Sequence, residues 1–138
     1  MQDTELALLV DRLMRRIHFG LQARAPEFDR KAVGPSGGIV LMTLAEMGCC
    51  GLNELTQRVA RDKSQMTRTI RSLEEKGLVQ RQLSPDDGRV SLVSLTPEGD
   101  QVVAELMGTV ADVIGDLLSP ISHDEKETLK ELLTKAQL

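Results

Sequence analysis

The stretch that decides the fold covers residues 62–95 and reads DKSQMTRTIRSLEEKGLVQRQLSPDDGRVSLVSL. Its first half has the apolar spacing of a helix, and Gly77 ends that pattern. Two short apolar-rich runs follow, and they predict strands at 78–83 and 90–95. A helix that leads directly into two short strands and a charged turn is the layout of a helix-turn-helix with a wing.

The predicted helix has two unlike faces. Met66, Ile70 and Leu73 recur at i, i+4 and i+7, so we expect one face to lie on a core. Asp62, with Gln65 three residues later, predicts a capping box at the start of the helix. The opposite face carries side chains that can donate hydrogen bonds to phosphates or to base edges in a DNA groove. They are Ser64, Gln65, Thr67, Arg68, Arg71 and Ser72.

The loop SPDDGR, residues 84–89, is longer than a tight hairpin turn. Its Pro and Gly are typical of a loop, and its charges can lie along a DNA backbone or reach into a minor groove. Arg89 suits the negative potential of that groove. Asp87 would repel phosphate on its own, so we expect it to restrain the arginine side chain two residues later.

The net charge of the 138-residue chain is −4, which taken alone argues against a nucleic-acid partner. The distribution of charge argues the other way. Residues 58–89 hold eight Lys or Arg against five Asp or Glu, whereas the rest of the chain holds nine against sixteen. A DNA duplex would therefore meet a basic patch on an acidic body. With two Phe and no Trp or Tyr, the chain lacks the aromatic platforms that stack on single-stranded nucleic acid.

Further helical patterns flank and precede this region. They predict helices at 4–24, ended by Pro26; at 35–47; around Leu52, Leu55 and Val59; at 62–76; at 97–118; and after a capping box of Ser122 and Glu125. The long terminal helices carry apolar stripes that a small winged domain would not cover. We therefore expect the chain to associate with itself.

The length of the chain indicates one compact protomer, residues 1–138, and the absence of catalytic motifs indicates that it is not an enzyme. No stretch approaches the roughly 20 apolar residues that span a bilayer, and no signal peptide is recognisable, so we expect a cytoplasmic protein with no membrane partner. No nucleophile and base pair or phosphate loop appears, so no catalytic residue is predicted. His18 and His123 lack further ligands at a suitable spacing, so neither a metal nor a cofactor is predicted.

Cys49 and Cys50 are neighbours between the second and third predicted helices. Adjacent Cα atoms lie about 3.8 Å apart across a trans peptide, which is closer than disulfides favour, so a bond between the two would be strained. Reduced cytosolic cysteines behave as small hydrophobes, and we expect inert, partly buried thiols. A redox-sensing regulator that acts through Cys49 or Cys50 is the alternative.

The run ELTQRVARDKSQMTRTIRSLEEKGLVQRQLSPDDGRVSLVSLTPEGD, residues 54–100, resembles the winged helix-turn-helix of the MarR family of bacterial transcriptional regulators. The resemblance rests on a Thr-Arg pair in the helix, Leu-Glu-Glu-Lys-Gly-Leu-Val at its end, an Asp-x-Arg wing, and Leu-Thr-x-x-Gly at the start of the next helix. The order and length of the helices extend it over nearly the whole chain.

The resemblance implies a mainly α fold with a small β-hairpin wing (α+β). A winged helix-turn-helix DNA-binding lobe at 35–95 is then flanked by dimerisation helices at 1–25 and 96–138. It also implies a homodimeric, ligand-responsive repressor on a palindromic operator of double-stranded DNA, with two recognition helices in successive major grooves. The groove and wing residues it assigns are Ser64, Gln65, Thr67, Arg68, Asp87 and Arg89. Their helix face alone adds Lys63 and Arg71 as phosphate contacts.

The family commonly binds small anionic or phenolic effectors between the dimer helices and the winged lobe, which implies an effector here as well. The sequence departs from the family pattern at two positions. Thr56 stands in place of a common alanine, and Ala60 stands where the turn often has glycine, which leaves the turn angle open. A winged-helix module that binds an acidic protein surface instead of DNA is the alternative from another class.

Overall fold

The computed structural model describes residues 2–29 and 31–136, which form six helices and three strands. In chain order these are α1 (Thr4–Phe28), α2 (Gly34–Met47), β1 (Cys50–Gly51), α3 (Leu52–Val59), α4 (Lys63–Glu75), β2 (Val79–Leu83), β3 (Ser91–Leu95), α5 (Pro97–Leu117) and α6 (His123–Lys135). The prediction of a mainly helical fold with a small β wing is confirmed. No helix in the described ranges combines the length and apolarity that a membrane span needs.

The three strands form one antiparallel sheet in the order β1-β3-β2. Val93 in the central strand pairs with Cys50 on one side and with Arg81 on the other. The β2–β3 hairpin confirms the predicted wing strands, although each begins one residue later than expected. The sequence did not predict β1, because two residues are too short to show strand alternation.

By their internal contacts the described residues form two compact units. One unit, which we call the winged lobe, spans Ala25–Gly108. The other, which we call the terminal-helix unit, contains the described residues 2–24 and 109–136. Within the terminal-helix unit, a Cβ on Gly20 of α1 would lie 2.8 Å from Val113 Cγ1 of α5, so glycine allows these helices to approach closely. Many apolar side chains of this unit are exposed: Leu6, Leu8, Leu9, Val10, Leu13, Met14, Phe19, Leu132 and Leu133.

The core of the winged lobe is built from α2, α3, α4 and the sheet. Met66, Ile70 and Leu73 are all buried, which confirms the predicted inward face of α4. Burying one such side chain contributes about 1.5–3 kcal/mol, so three of them hold α4 firmly against the lobe. Their partners in the same buried cluster include Val40, Leu41, Leu44, Leu55, Leu78 and Val93.

α1 continues past the point where it was expected to end. The prediction that Pro26 stops the helix near Arg24 is wrong, because α1 runs to Phe28 with Pro26 in its last turn. A proline removes its own bond to the carbonyl four residues earlier and its ring crowds that carbonyl, but it leaves the N–H groups of the residues after it free to bond. The Asp29 N–H still donates to the Ala25 carbonyl at 2.8 Å, so the last turn closes around the proline.

α5 begins on the base of the hairpin. Thr96 Oγ1 donates to the Gly77 carbonyl at 2.6 Å and accepts the Gly99 N–H at 3.0 Å, so Thr96 caps the helix that the sequence predicted to begin at residue 97. A Cβ on Gly99 would collide with the Leu78 carbonyl oxygen. The Leu-Thr-x-x-Gly pattern therefore has a physical basis: the threonine caps the helix and the glycine lets it lie against the strand.

α6 begins with the predicted capping box. Ser122 Oγ accepts the Glu125 N–H at 3.1 Å, and Glu125 Oε1 accepts the Ser122 N–H at 2.8 Å. The backbone N–H of Ser122, and then its hydroxyl, hold the pKa of Glu125 below its ordinary value. The carboxylate therefore caps the helix in its charged form at neutral pH.

Candidate nucleic-acid interface

The start of α4 is fixed by Asp62, which is the N-cap. Its Oδ1 accepts the Gln65 N–H at 2.8 Å, as the sequence predicted. The reciprocal contact from the Gln65 side chain is not formed among the described residues, so half of the expected capping box is present. The Gln65 amide is thus left available to a partner.

The outer face of α4 presents the predicted DNA-contacting side chains together. Lys63, Ser64, Arg68 and Arg71 are exposed, whereas Gln65 and Thr67 are half-buried at the edge of the face. Within the described ranges, the side chains of the three cations have no hydrogen-bond or ion-pair partner. Unpaired cations opposite a buried apolar stripe can bind an anionic surface without first breaking an internal contact.

Thr67 differs from the other residues of this face. Its hydroxyl donates to the Lys63 carbonyl at 2.8 Å, one helical turn earlier. Threonine hydroxyls inside helices commonly bond in this way. In this rotamer the oxygen can only accept, so Thr67 can meet the amino group of a base but can donate to phosphate only after its hydroxyl rotates.

The end of α4 is closed by Gly77 at φ +75°. The Gly77 N–H donates to the Glu74 carbonyl at 2.9 Å and the Leu78 N–H to the Leu73 carbonyl at 3.0 Å, which is a Schellman motif. Arg81 of β2 forms an ion pair with Glu74 at 2.8 Å, and both side chains are about one-third exposed. The sequence did not reveal this pair, because the two residues belong to different elements. The contact adds a polar link to the buried apolar contacts that join the hairpin and α4.

The wing loop is ordered by hydrogen bonds to two side chains. Ser84 Oγ accepts from the backbone N–H of Asp86 at 3.2 Å and of Asp87 at 3.4 Å. Asp87 Oδ1 accepts from the Arg89 N–H at 3.0 Å and from Arg89 Nε at 3.4 Å. The Arg89 side chain is 93% exposed. The loop thus holds a nearly free guanidinium at its tip, paired with Asp87 as the sequence predicted.

The turn between α3 and α4 bends through an alanine in the left-handed conformation. Ala60 has φ +57° and ψ +44°, and the Arg61 N–H donates to the Thr56 carbonyl at 3.4 Å. Such a conformation costs about 1–2 kcal/mol in a residue with a Cβ. Arg61 Nη1 donates to Ser36 Oγ at 3.3 Å and ties the turn to α2. The turn thus keeps a left-handed geometry without the glycine that the family pattern favours there.

The two cysteines lie in unlike surroundings. Cys49 is exposed, and Cys50 is buried in β1. Burial, and then the charge of Glu54, raise the pKa of the Cys50 thiol. A thiol with a raised pKa is a poor nucleophile at neutral pH, which favours an inert Cys50. No group of three or more His, Cys, Asp or Glu in the described ranges is arranged to hold a metal ion.

Known proteins share this sequence pattern and fold. The sequence model of the MarR family matches residues 39–91. A probable transcriptional regulator from Pseudomonas aeruginosa is 30% identical over 90% of this chain and 92% of its own, with a TM-score of 0.68. The PcaV transcriptional regulator from Streptomyces coelicolor, solved with its natural ligand, is 26% identical. The match covers 94% of this chain and 89% of PcaV, with a TM-score of 0.69. BpsR from Bordetella bronchiseptica, whose DNA binding is regulated by 6-hydroxynicotinic acid, is 23% identical. The match covers 97% of this chain and 99% of BpsR, and its TM-score of 0.76 shows the shared fold.

Proposed function

Because the chain belongs to the MarR family of DNA-binding transcriptional regulators, we propose that it binds a palindromic duplex sequence-specifically as a homodimer. The observation that carries this proposal is the outer face of α4. Three exposed cations without partners in the described ranges lie there, beside hydroxyl and amide groups that can contact base edges. Residues 58–89, which include α4 and the wing loop, also carry a local excess of positive charge in an otherwise acidic chain.

The proposal divides the work between two elements. In α4, Ser64, Gln65, Thr67 and Arg68 contact base edges in the major groove, because they lie on the first two turns of the helix. Lys63 and Arg71 contact phosphates beside that groove. In the wing, Arg89 enters the minor groove or binds its flanking phosphates, since its guanidinium is exposed at the loop tip.

The homodimer is supported by the exposed apolar side chains of α1. Leu6, Val10 and Leu13 belong to the stripe that the sequence predicted to face a partner, and each is at least 40% exposed in the single chain. An apolar stripe of this kind is commonly covered by a second copy in a two-fold assembly. Sedimentation velocity tests this step: a dimer is expected, and Leu13→Glu should shift it toward monomer.

Ligand response and repression complete the proposed function. Support comes from PcaV, solved with its natural ligand, and from BpsR, whose DNA binding 6-hydroxynicotinic acid regulates. An effector is expected to raise the melting temperature of the protein and to release bound DNA, because it binds a state with lower DNA affinity. Transcription in vitro from a promoter that contains the operator, with and without protein, distinguishes repression from activation.

Selection of bound duplexes from a random pool tests the central proposal. We expect enrichment of a palindrome whose half-sites lie about 10 base pairs apart, because recognition helices of a dimer enter successive major grooves. Affinity for the selected duplex should fall steeply with salt as counterions return to the phosphates. A protein that enriches no duplex, and instead binds acidic protein surfaces, would be the winged-helix interaction module.

A further inference from the structure

The segment between α1 and α2 is tied to the start of α2 by Asp29. Asp29 Oδ1 accepts the Val33 N–H at 2.8 Å, and Oδ2 accepts the Gly34 N–H at 3.0 Å. Ala32 between them has φ +52°, a conformation that alanine rarely adopts. A strained residue persists where surrounding contacts hold it. We call the described residues of this segment, 29 and 31–33, the connector.

The connector is also tied to the C-terminal end of α4 by two lysines that bind in opposite directions. Lys76, the C-cap of α4, donates from Nζ to the Ala32 carbonyl at 2.9 Å. Lys31 donates from Nζ to the Lys76 carbonyl at 3.2 Å. The second contact satisfies a carbonyl at the negative end of the helix dipole. Each lysine therefore binds the backbone of the segment that carries the other.

We propose that this lysine clasp, Lys31 and Lys76, sets the orientation of the recognition helix by fixing its C-terminal end to the connector. Lys76 is then a positioning residue that acts on DNA through α4. The inference rests on the proposed DNA binding of α4. The buried face of α4 is its first anchor, and the clasp is a second one. It also assigns a role to Lys76, which belongs to the basic segment 58–89 and by charge alone would be given to phosphate.

Two roles of Lys76 predict different results. A lysine that contacts phosphate strengthens binding to every sequence, and its loss lowers the salt slope by about one. A lysine that orients α4 acts on the fit between side chains and base edges. Its loss lowers affinity for the matched duplex and leaves binding to other sequences unchanged.

Hydrogen exchange on the free protein tests the clasp without DNA. In Lys76→Met, the Val33 and Gly34 amides, which donate to Asp29, should exchange at least about three times faster than in the wild type. In Lys31→Met, the Gly77 and Leu78 amides should show the same increase. Lys76→Arg keeps a cationic donor and should restore the slow rates. Lys135→Met, an exposed lysine of α6, is the control and should change none of them. Effects confined to the mutated segment would overturn the clasp.

DNA binding then tests positioning, with the duplex selected from the random pool and a shuffled duplex of equal length. Lys76→Met should lower the affinity for the selected duplex about threefold to tenfold. The affinity for the shuffled duplex and the dependence of affinity on salt concentration should not change. Equal losses on both duplexes with a lower slope would assign Lys76 to phosphate and overturn positioning. If the wild-type protein binds neither duplex, the proposed function and the positioning role both fail, while the exchange measurement still decides whether the clasp exists.

Discussion

Asp87 holds Arg89 at two points. Its Oδ1 accepts the Arg89 backbone N–H at 3.0 Å and Nε of the same residue at 3.4 Å. The contact to the backbone N–H is the shorter and therefore the stronger of the two. The main effect of Asp87 is thus to hold the loop backbone, and its hold on the guanidinium is weaker. The terminal nitrogens of Arg89 have no partner among the residues that the structure describes. The wing thus presents the two terminal guanidinium nitrogens of Arg89 as donors, while Nε and the backbone N–H are held by Asp87.

Replacing Arg89 by alanine should weaken DNA binding with little change in sequence preference. Loss of one groove or phosphate cation is expected to lower affinity roughly tenfold and to reduce the salt slope by about one. Fluorescence anisotropy at several salt concentrations measures both. Arg12→Ala, which removes an exposed arginine from α1, is the matched control. An unchanged slope in Arg89→Ala would remove the wing from the interface.

Substitutions of Asp87 separate the shape of the loop from its charge. Asn keeps an oxygen that can accept the Arg89 N–H, whereas Ala loses it. We therefore expect Asp87→Ala to lower operator affinity more than Asp87→Asn does, because only alanine releases the loop. Anisotropy titrations of both variants at one salt concentration decide this. Equal affinities would mean that the loop conformation does not matter for binding.

Arg68→Ala should relax sequence preference. An arginine that contacts a base edge in the major groove contributes about 1–3 kcal/mol of discrimination against the wrong base. Repeating the random-pool selection with this variant should yield a palindrome with one degenerate position in each half-site. Retention of the full wild-type preference would place Arg68 outside the base-reading set.

Ala60→Gly should stabilise the protein. Glycine removes the cost of the left-handed conformation, which is about 1–2 kcal/mol. Because glycine also loses more backbone entropy on folding, the free energy of unfolding should rise by only about 0.5–1 kcal/mol. Urea denaturation measures the change. Ala104→Gly, in the regular helix α5, is the control and should lose about 1 kcal/mol. A loss in both variants would contradict the strain at Ala60.

Cys50 should resist alkylation at neutral pH. Burial raises its pKa, so the thiolate that reacts with iodoacetamide is scarce, while exposed Cys49 is accessible. Because the folded pKa is raised, the free energy of unfolding is unaffected below the ordinary thiol pKa and falls as pH rises past it. Mass spectrometry after labelling across pH checks the first expectation. A peroxide-induced, reversible loss of DNA binding would favour the redox-sensing alternative.

Features set by local spacing were predictable from the sequence. The inward face of α4, the caps at Asp62 and Ser122, and the two wing strands follow from residues close together in the chain. Local rules have a direct physical cause in helix periodicity and unsatisfied terminal amides. The side chains proposed to contact DNA were identified in the same way, and their roles stay predictions.

Features that depend on distant contacts were not predictable. β1 exists because Cys50 meets Val93 across the sheet, and no pattern in two residues signals that pairing. The lysine clasp joins segments that only the folded lobe brings together. Pro26 shows that a local rule can also fail. The rule that a proline ends a helix predicted an end near Arg24, but α1 continues to Phe28 and the Asp29 N–H still donates to the Ala25 carbonyl.

The strand order leaves the outer side of β2 without a partner in the described part of the chain. A bare strand edge can recruit strands of other molecules and start aggregation. Here the edge is only five residues long, which limits the number of backbone groups that another strand can pair with. The free edge of the hairpin therefore offers few backbone partners to a strand of a second copy.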